Sequence, residues 1–178
     1  DAKLAIAVSD APMPWLARLS TSALNQRMNR ELAALAISRI ARNDPRMAAE
    51  QLERFEKHLH PGERGWAWGQ IGWQAAQRHM DEALGWFRKA GDVPLAEEAS
   101  QWKVRAALRA QDWGTVRGAI EAMPPALASQ PAWVYWLGRA YRAGGRVEDA
   151  NALFSKIAGQ PNFYGNLADD ELGRAITV

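Results

Sequence analysis

The stretch PAWVYWLGRAYRAGGRVEDANALF, residues 131–154, reads as two helices joined by a tight turn. Pro131 suits a first helical turn, where the N–H it lacks would have no partner anyway. Apolar residues then recur every three or four positions, the period of a helix face. Gly144-Gly145 interrupts the pattern, and it resumes with Ala150, Phe154 and Ile157. Gly138 and Tyr141 stand 12 and 9 residues before Ala150. A small residue, a large apolar one a turn later and another apolar one three further on form one buried stripe.

Working outward, the same triplet recurs upstream. It reads Ala48-Leu52-Phe55, Ala83-Phe87-Ala90 and Val116-Ile120-Met123, and the four anchors are spaced by 35, 33 and 34 residues. Gly and Tyr on a first helix, with Ala and Phe on a second, at a step near 34 residues, is the tetratricopeptide pattern. Only the last unit matches on both helices; the others match on the second helix alone. Breakers separate the helices: Asn43-Asp44-Pro45, Pro61-Gly62, Gly91-Asp92-Val93-Pro94, Pro124-Pro125, Gln130-Pro131, Gly144-Gly145 and Gly159-Gln160-Pro161. The spacing predicts helices over 24–42, 45–58, 63–79, 81–90, 94–110, 112–122, 131–143, 146–158 and 163–173, with residues 11–19 ending an earlier pair. Asp44 before Pro45 supplies a cap, and Asp81 is expected to do the same for the next helix. Alternating β-branched runs are nearly absent. The expected fold is therefore all-α: a tetratricopeptide-like α-superhelix of antiparallel helix pairs. It is expected to be one segment over 1–178, with 131–178 a linker-like end. Asp1 is not an initiator Met, and the chain stops at Ile176-Thr177-Val178 soon after a helical pattern. Both ends are read as cuts within a longer protein.

Composition narrows the function. Hydrophobic residues make up 48% and charged residues 24%, which excludes a disordered chain. No run approaches the roughly 20 apolar residues of a membrane span. There is no cysteine, so disulfides, thiolate nucleophiles and zinc–thiolate sites are excluded. A net charge of +2 does not argue for nucleic acid. No GxSxG, phosphate-binding glycine loop or dinucleotide fingerprint occurs, and no cofactor is implied. Glu53, Glu56, His58 and His60 cluster at a helix end, but without HExxH or a second ligand set they read as a solvated terminus rather than a metal site. Asp169, Asp170 and Glu171 are adjacent, so a helix sends them in different directions. No Glu in the chain has a local setting that suggests a raised-pKa glycosidic acid.

Tryptophan and arginine remain. The nine Trp include Trp66 and Trp73 on one face of helix 63–79, with Trp68, Ile71 and Ala75 on another. A glycan-stacking platform competes here with core packing, which the burial tendency of aromatics favours. Arginine supplies 17 of the 22 basic residues. Arg39 and Arg42, Arg78, Arg105 and Arg109, and Arg139 and Arg142 all fall in the last two turns of the first helix of a pair. Such arginines stabilise helix C-termini. Stacked pairs would also bring them to one edge, where they could pair with carboxylates. Arg39, Arg78, Arg105, Arg109, Arg139 and Arg142 are thus candidate ligand-binding residues.

The C-terminal third also carries a family resemblance. Pro-Ala-Trp-Val-Tyr-Trp-Leu-Gly-Arg-Ala-Tyr-Arg at 131–142 resembles the W-x-Y-W-x-x-R-A helix of soluble lytic murein transglycosylases. Phe163-Tyr164-Gly165-Asn166-Leu167-Ala168 resembles their F-Y-G-x-L-A motif. Residues 102–109 and Arg42-Asn43-Asp44-Pro45 are similar to helix and turn segments of the same superhelical region. The resemblance spans about 25–175. It implies part of an α-superhelical ring that precedes a lysozyme-like domain, in a periplasmic enzyme cleaving the MurNAc–GlcNAc bond to leave a 1,6-anhydro end. The family's E-S-x-F and G-L-M-Q catalytic motifs do not occur here, so no catalytic residue is carried over. The implied partners are the enzyme's own catalytic domain and, weakly, peptidoglycan glycan strands or peptide stems. A free tetratricopeptide-like adaptor for protein partners is the alternative.

Overall fold

The structure is a computed structural model that describes residues 1–173; the last five positions, including Ile176 to Val178, lie outside the described residues. Among the described residues there are helices and no strands. In chain order these are α1 (Ala2–Asp10), α2 (Pro12–Arg18), a 3₁₀ turn (Thr21–Asn25), α3 (Arg27–Ala41), α4 (Pro45–Phe55), a second 3₁₀ turn (Glu56–His58), α5 (Pro61–Gln77), α6 (Ala83–Lys89), α7 (Glu97–Arg109), α8 (Trp113–Glu121), α9 (Pro125–Ala128), α10 (Pro131–Ala143), α11 (Val147–Ile157) and α12 (Phe163–Glu171). The nine helices expected from periodicity are all present. The sequence pattern missed α1 and the single turn α9, which are too short or too evenly apolar to show a period.

The chain divides into two compact units, Asp1–Ala106 and Ala107–Val178. In the first, α1, α2, α4 and α5 pack on α3, and α5 also packs on α6. Its core holds Val8, Leu16, Ile37, Leu52, Trp68 and Ile71, each at most 1% exposed. In the second, α8, α11 and α12 gather around α10, with Tyr135, Ala150, Phe154 and Ala168 at the centre. The four anchors Ala48, Ala83, Val116 and Ala150 are all buried, as the repeat step requires.

The Gly–Phe contact explains one unit the sequence read incompletely. A Cβ on Gly138 would lie 2.5 Å from the Phe154 ring, and one on Gly72 would lie 2.8 Å from the Phe87 ring. Gly72 therefore does for α5–α6 what Gly138 does for α10–α11. The repeat spacing does not display it, because Gly72 stands 11 rather than 12 residues before its anchor. Gly65 and Gly69 continue that bare face of α5: Cβ atoms there would run into Val93 and Leu95. Three helix-interior glycines weaken α5 by about 1 kcal/mol each in propensity. Close packing on this face offsets that loss.

Helix ends repeat as well. The N–H groups of Met80, Asp112 and Arg146 donate to the carbonyls of Ala75, Ala107 and Tyr141, five residues back, at 2.9–3.0 Å. The residue before each donor is left-handed: His79 at φ 55°, Gln111 at 54° and Gly145 at 79°. This is the closure that favours glycine. Among the caps, Asp44 accepts from the Met47 N–H at 3.0 Å as expected. Asp81 does not cap α6. That position falls to Glu82, whose backbone is already helical and makes no side-chain cap bond.

Candidate functional site

The candidate arginines meet different fates. Arg39 is half-buried, and Arg105 and Arg109 are exposed. Arg78 donates to the carbonyl of Gln74 at 3.1 Å and to that of Arg42, the C-cap of α3. It closes the ends of two helices at once. Arg105 lies over the Trp102 ring at 4.7 Å, beside a groove of about 520 Å³ edged by Glu97 and Glu98.

Arg139 and Arg142 converge on one carboxylate. Arg139 Nη1 lies 3.5 Å from Glu171 Oε1 and donates to the Tyr135 hydroxyl at 3.0 Å. That hydroxyl in turn donates to Glu171 at 3.1 Å. Arg142 donates to Glu171 Oε2, to the Glu171 carbonyl and to Asn151 Oδ1. Arg142 also sits 5.0 Å over the Phe154 ring, the same ring that Gly138 admits. The network fastens α12 to α10. Burial, opposed by Arg139, holds the Tyr135 phenol above its ordinary pKa. The acidic run divides as helix geometry demands: buried Asp169 accepts from the Gly159 N–H at 3.1 Å, while Asp170 is exposed.

In the acid and histidine cluster near residue 56, Glu53, His58 and His60 are exposed and Glu56 is half-buried, as a solvated helix terminus requires. Glu56 accepts from the Trp68 indole at 3.0 Å, Glu53 pairs with Lys89 at 3.6 Å, and His60 is the N-cap of α5. The tryptophans follow the packing reading for the most part. Trp68 and Trp133 are buried, and six others are half-buried. Trp66 is 39% exposed and edges an apolar groove with Ala34 and Gly62. The indole nitrogen of Trp73 is buried with no acceptor among the described residues, so edge satisfaction does not extend to every indole.

A third groove lies wholly within the second unit, between α8 and the α10–α11 turn. It measures about 330 Å³ and is walled by Trp113, Tyr141, Arg117 and Arg146. Tyr141 donates to Glu121 at 2.7 Å, and Arg146 lies over the Tyr141 ring at 4.2 Å. Arg146 Nε also donates to Asp149 at 2.8 Å. The hydrogen bond to Glu121 is the main cause that raises the Tyr141 pKa. Sequence reasoning passed over Arg117 and Arg146 because neither lies in the last turns of a first helix.

No family model matches this chain, and no curated protein matches it. Solved structures do. The chain is similar to an inactive mutant of the lytic transglycosylase Slt from Pseudomonas aeruginosa, at 26% identity and a TM-score of 0.71 over 98% of its length. It has the same fold as part of the 70-kDa soluble lytic transglycosylase from Escherichia coli, at 20% identity and TM-score 0.62 over 85% of its length. A complex of the 70-kDa soluble lytic transglycosylase with bulgecin A aligns at 19% identity and TM-score 0.66 over 97%. The chain spans only 25–29% of the length of these proteins. The resemblance read over about 25–175 thus points to the family whose all-helical, superhelical fold this chain shares.

Proposed function

We propose that this chain is a non-catalytic superhelical segment of a periplasmic lytic murein transglycosylase, where it supports the catalytic domain and positions peptidoglycan. The observation that carries this reading is the common fold over 98% of the chain at 26% identity. In this reading 1–178 is one segment of a larger ring, and 131–178 is the linker-like end that leads toward the catalytic domain. A free adaptor role gains no support from these neighbours.

Bond cleavage needs a proton donor at the leaving oxygen, and the reading assigns none to this chain. Ligand contact is assigned to Arg39, Arg78, Arg105, Arg109, Arg139 and Arg142. Exposed ion pairs contribute about 0–1 kcal/mol each, so several must act together and binding is weak and salt-sensitive. The purified chain is expected to sediment with sacculi at low salt and to release no anhydro-muropeptide. Replacing Arg105, Arg109, Arg139 and Arg142 by Gln is expected to lower sedimentation. Anhydro-muropeptide release above a blank, or no sedimentation at low salt, would overturn the reading. In the longer reading frame, E-S-x-F and G-L-M-Q are expected downstream.

A further inference from the structure

The α8/α10–α11 groove carries two guanidiniums and no carboxylate in its lining. Its volume of about 330 Å³ lies at the small end of the roughly 300–1,000 Å³ of ligand sites, room for one compact group rather than a polymer. We propose that it is a binding site for a small carboxylate borne on a methyl-substituted carbon, a 2-substituted propanoate. The inference rests on the reading that the chain meets peptidoglycan. Peptidoglycan offers this chemistry twice, in the lactyl ether of muramic acid and in the terminal D-alanine of a peptide stem.

Three features fit that ligand. First, Arg146 is held before any ligand arrives. The Tyr141 ring fixes its face at 4.2 Å and Asp149 takes Nε, so the Nη1–Nη2 end is the other donor edge. Tyr141 is itself anchored by Glu121 at 2.7 Å. A guanidinium fixed in this way loses little freedom when it forms a forked bond to a carboxylate. Second, the acids around the groove are engaged: Glu121 with Tyr141, Asp149 with Arg146, Asp112 with the Thr115 N–H, and Glu171 with the Arg139 that lies 5.6 Å over the Trp113 ring. Third, half of the lining is small. Gly114 and Gly144 line the groove with two alanines of α10, and a Cβ at Gly114 would meet nothing nearer than an Asp112 oxygen at 3.7 Å. That lining leaves room for a methyl group, and the Trp113 and Tyr141 rings receive the apolar face of whatever carries the acid.

The test is amide and indole NMR on the whole chain, titrated separately with N-acetylmuramic acid, D-alanyl-D-alanine, N-acetylglucosamine and acetate. N-acetylmuramic acid, the dipeptide, or both are expected to shift the Trp113 indole and the Gly114 and Gly144 amides. Which of the two binds tells the lactyl source from the stem source. N-acetylglucosamine, which lacks the carboxylate, and acetate, which lacks the substituted carbon, are expected to bind about tenfold more weakly. Arg117→Gln is expected to weaken binding about tenfold. Gly114→Leu keeps every cation and puts a bulky side chain into the lining, and is expected to abolish the shifts. Lys156→Gln, which removes an exposed cation of the same unit outside the groove, is expected to leave them unchanged. Equal binding of all four probes, shifts elsewhere in the chain, or a Gly114→Leu variant that binds as the parent does would overturn the proposal. Sacculus sedimentation of the parent chain separates the two failures. Sedimentation with a silent groove sinks this site and leaves the functional reading standing. A responsive groove without sedimentation does the reverse.

Discussion

The two units solve one packing problem with the same device and then differ in what surrounds it. In Asp1–Ala106 the bare Gly72 admits Phe87, and in Ala107–Val178 the bare Gly138 admits Phe154. Around the first ring the rest of α5 is also bare, with Gly65 and Gly69 bringing Val93 and Leu95 close. Around the second, the space is polar and aromatic: Arg142 covers Phe154, the Tyr135 ring lies tilted against it at 5.7 Å, and Glu171 ties Arg142 and Tyr135 to α12. One unit is tightened by removing side chains, the other by a charged network. The repeat sets the Gly–Phe lock. What is laid over the lock is free to vary, and it is there that binding chemistry can accumulate.

The largest effects test the lock itself. Phe87→Ala and Phe154→Ala are each expected to cost about 3–5 kcal/mol in urea unfolding. Gly72→Ala and Gly138→Ala should cost about 1–3 kcal/mol, because the added Cβ must displace an aromatic ring. The other two repeats suggest the remedy. Where the second helix carries Leu52 or Ile120, the position 12 before the anchor is Ala36 or Val104, and all four are buried. Gly138→Ala combined with Phe154→Leu should therefore recover at least part of the single-variant loss. Strict additivity of the two costs would show that glycine and ring are not coupled, and the comparison would break.

Much of this was legible in the chain and some was not. The buried anchors, the second-helix stripes and the Asp44 cap rest on local spacing, which a sequence displays directly. Gly72 was hidden by a one-residue difference in turn length. The candidate arginines have like places in the repeat, and that likeness is all the sequence displays of them. Their partners come from distant segments: Arg78 finds the end of α3, and Arg142 finds Glu171, 29 residues on. Periodicity carries no information about such pairings. Asp81 failed as a cap for a local reason: Ala83 follows an already helical Glu82, so no extended residue precedes the helix.

Intermediate effects sharpen the contrast between network and bare packing. Glu171→Gln should cost about 1–3 kcal/mol, since it weakens charge-assisted bonds to two arginines in a partly buried setting. Arg78→Gln should cost only about 0.3–1 kcal/mol, the value of a cation at exposed helix ends. A larger loss for Arg78 than for Glu171 would reverse the assignment of electrostatic weight to the second unit. At the shared turns, Gly145→Ala should cost about 1 kcal/mol through the left-handed backbone. His79→Gly should change stability in the opposite direction.

The smallest effect distinguishes the units by sign. All three tyrosines belong to the second unit. Burial raises the Tyr135 phenol, and the hydrogen bond to Glu121 raises that of Tyr141. The folded chain keeps protons that the unfolded chain releases near pH 10, so this stability is complete below that pH and is lost as pH rises through the folded values. Lys103, in the first unit, behaves oppositely: burial lowers its pKa, opposed by Asp92. There the unfolded chain holds the extra proton, and stability is gained as pH climbs from the folded value toward the unfolded one near 10.5. Urea midpoints measured between about pH 9 and 11 should separate the two. Lys103→Met should remove the rising component, and Tyr141→Phe should reduce the falling one. Glu121→Gln should lower the Tyr141 titration seen by tyrosine ring-carbon NMR and leave that of Tyr135 in place. If Tyr135 and Tyr141 moved together in that variant, the two phenols would share one cause, and the separate anchoring of the α8/α10–α11 groove would be lost with it.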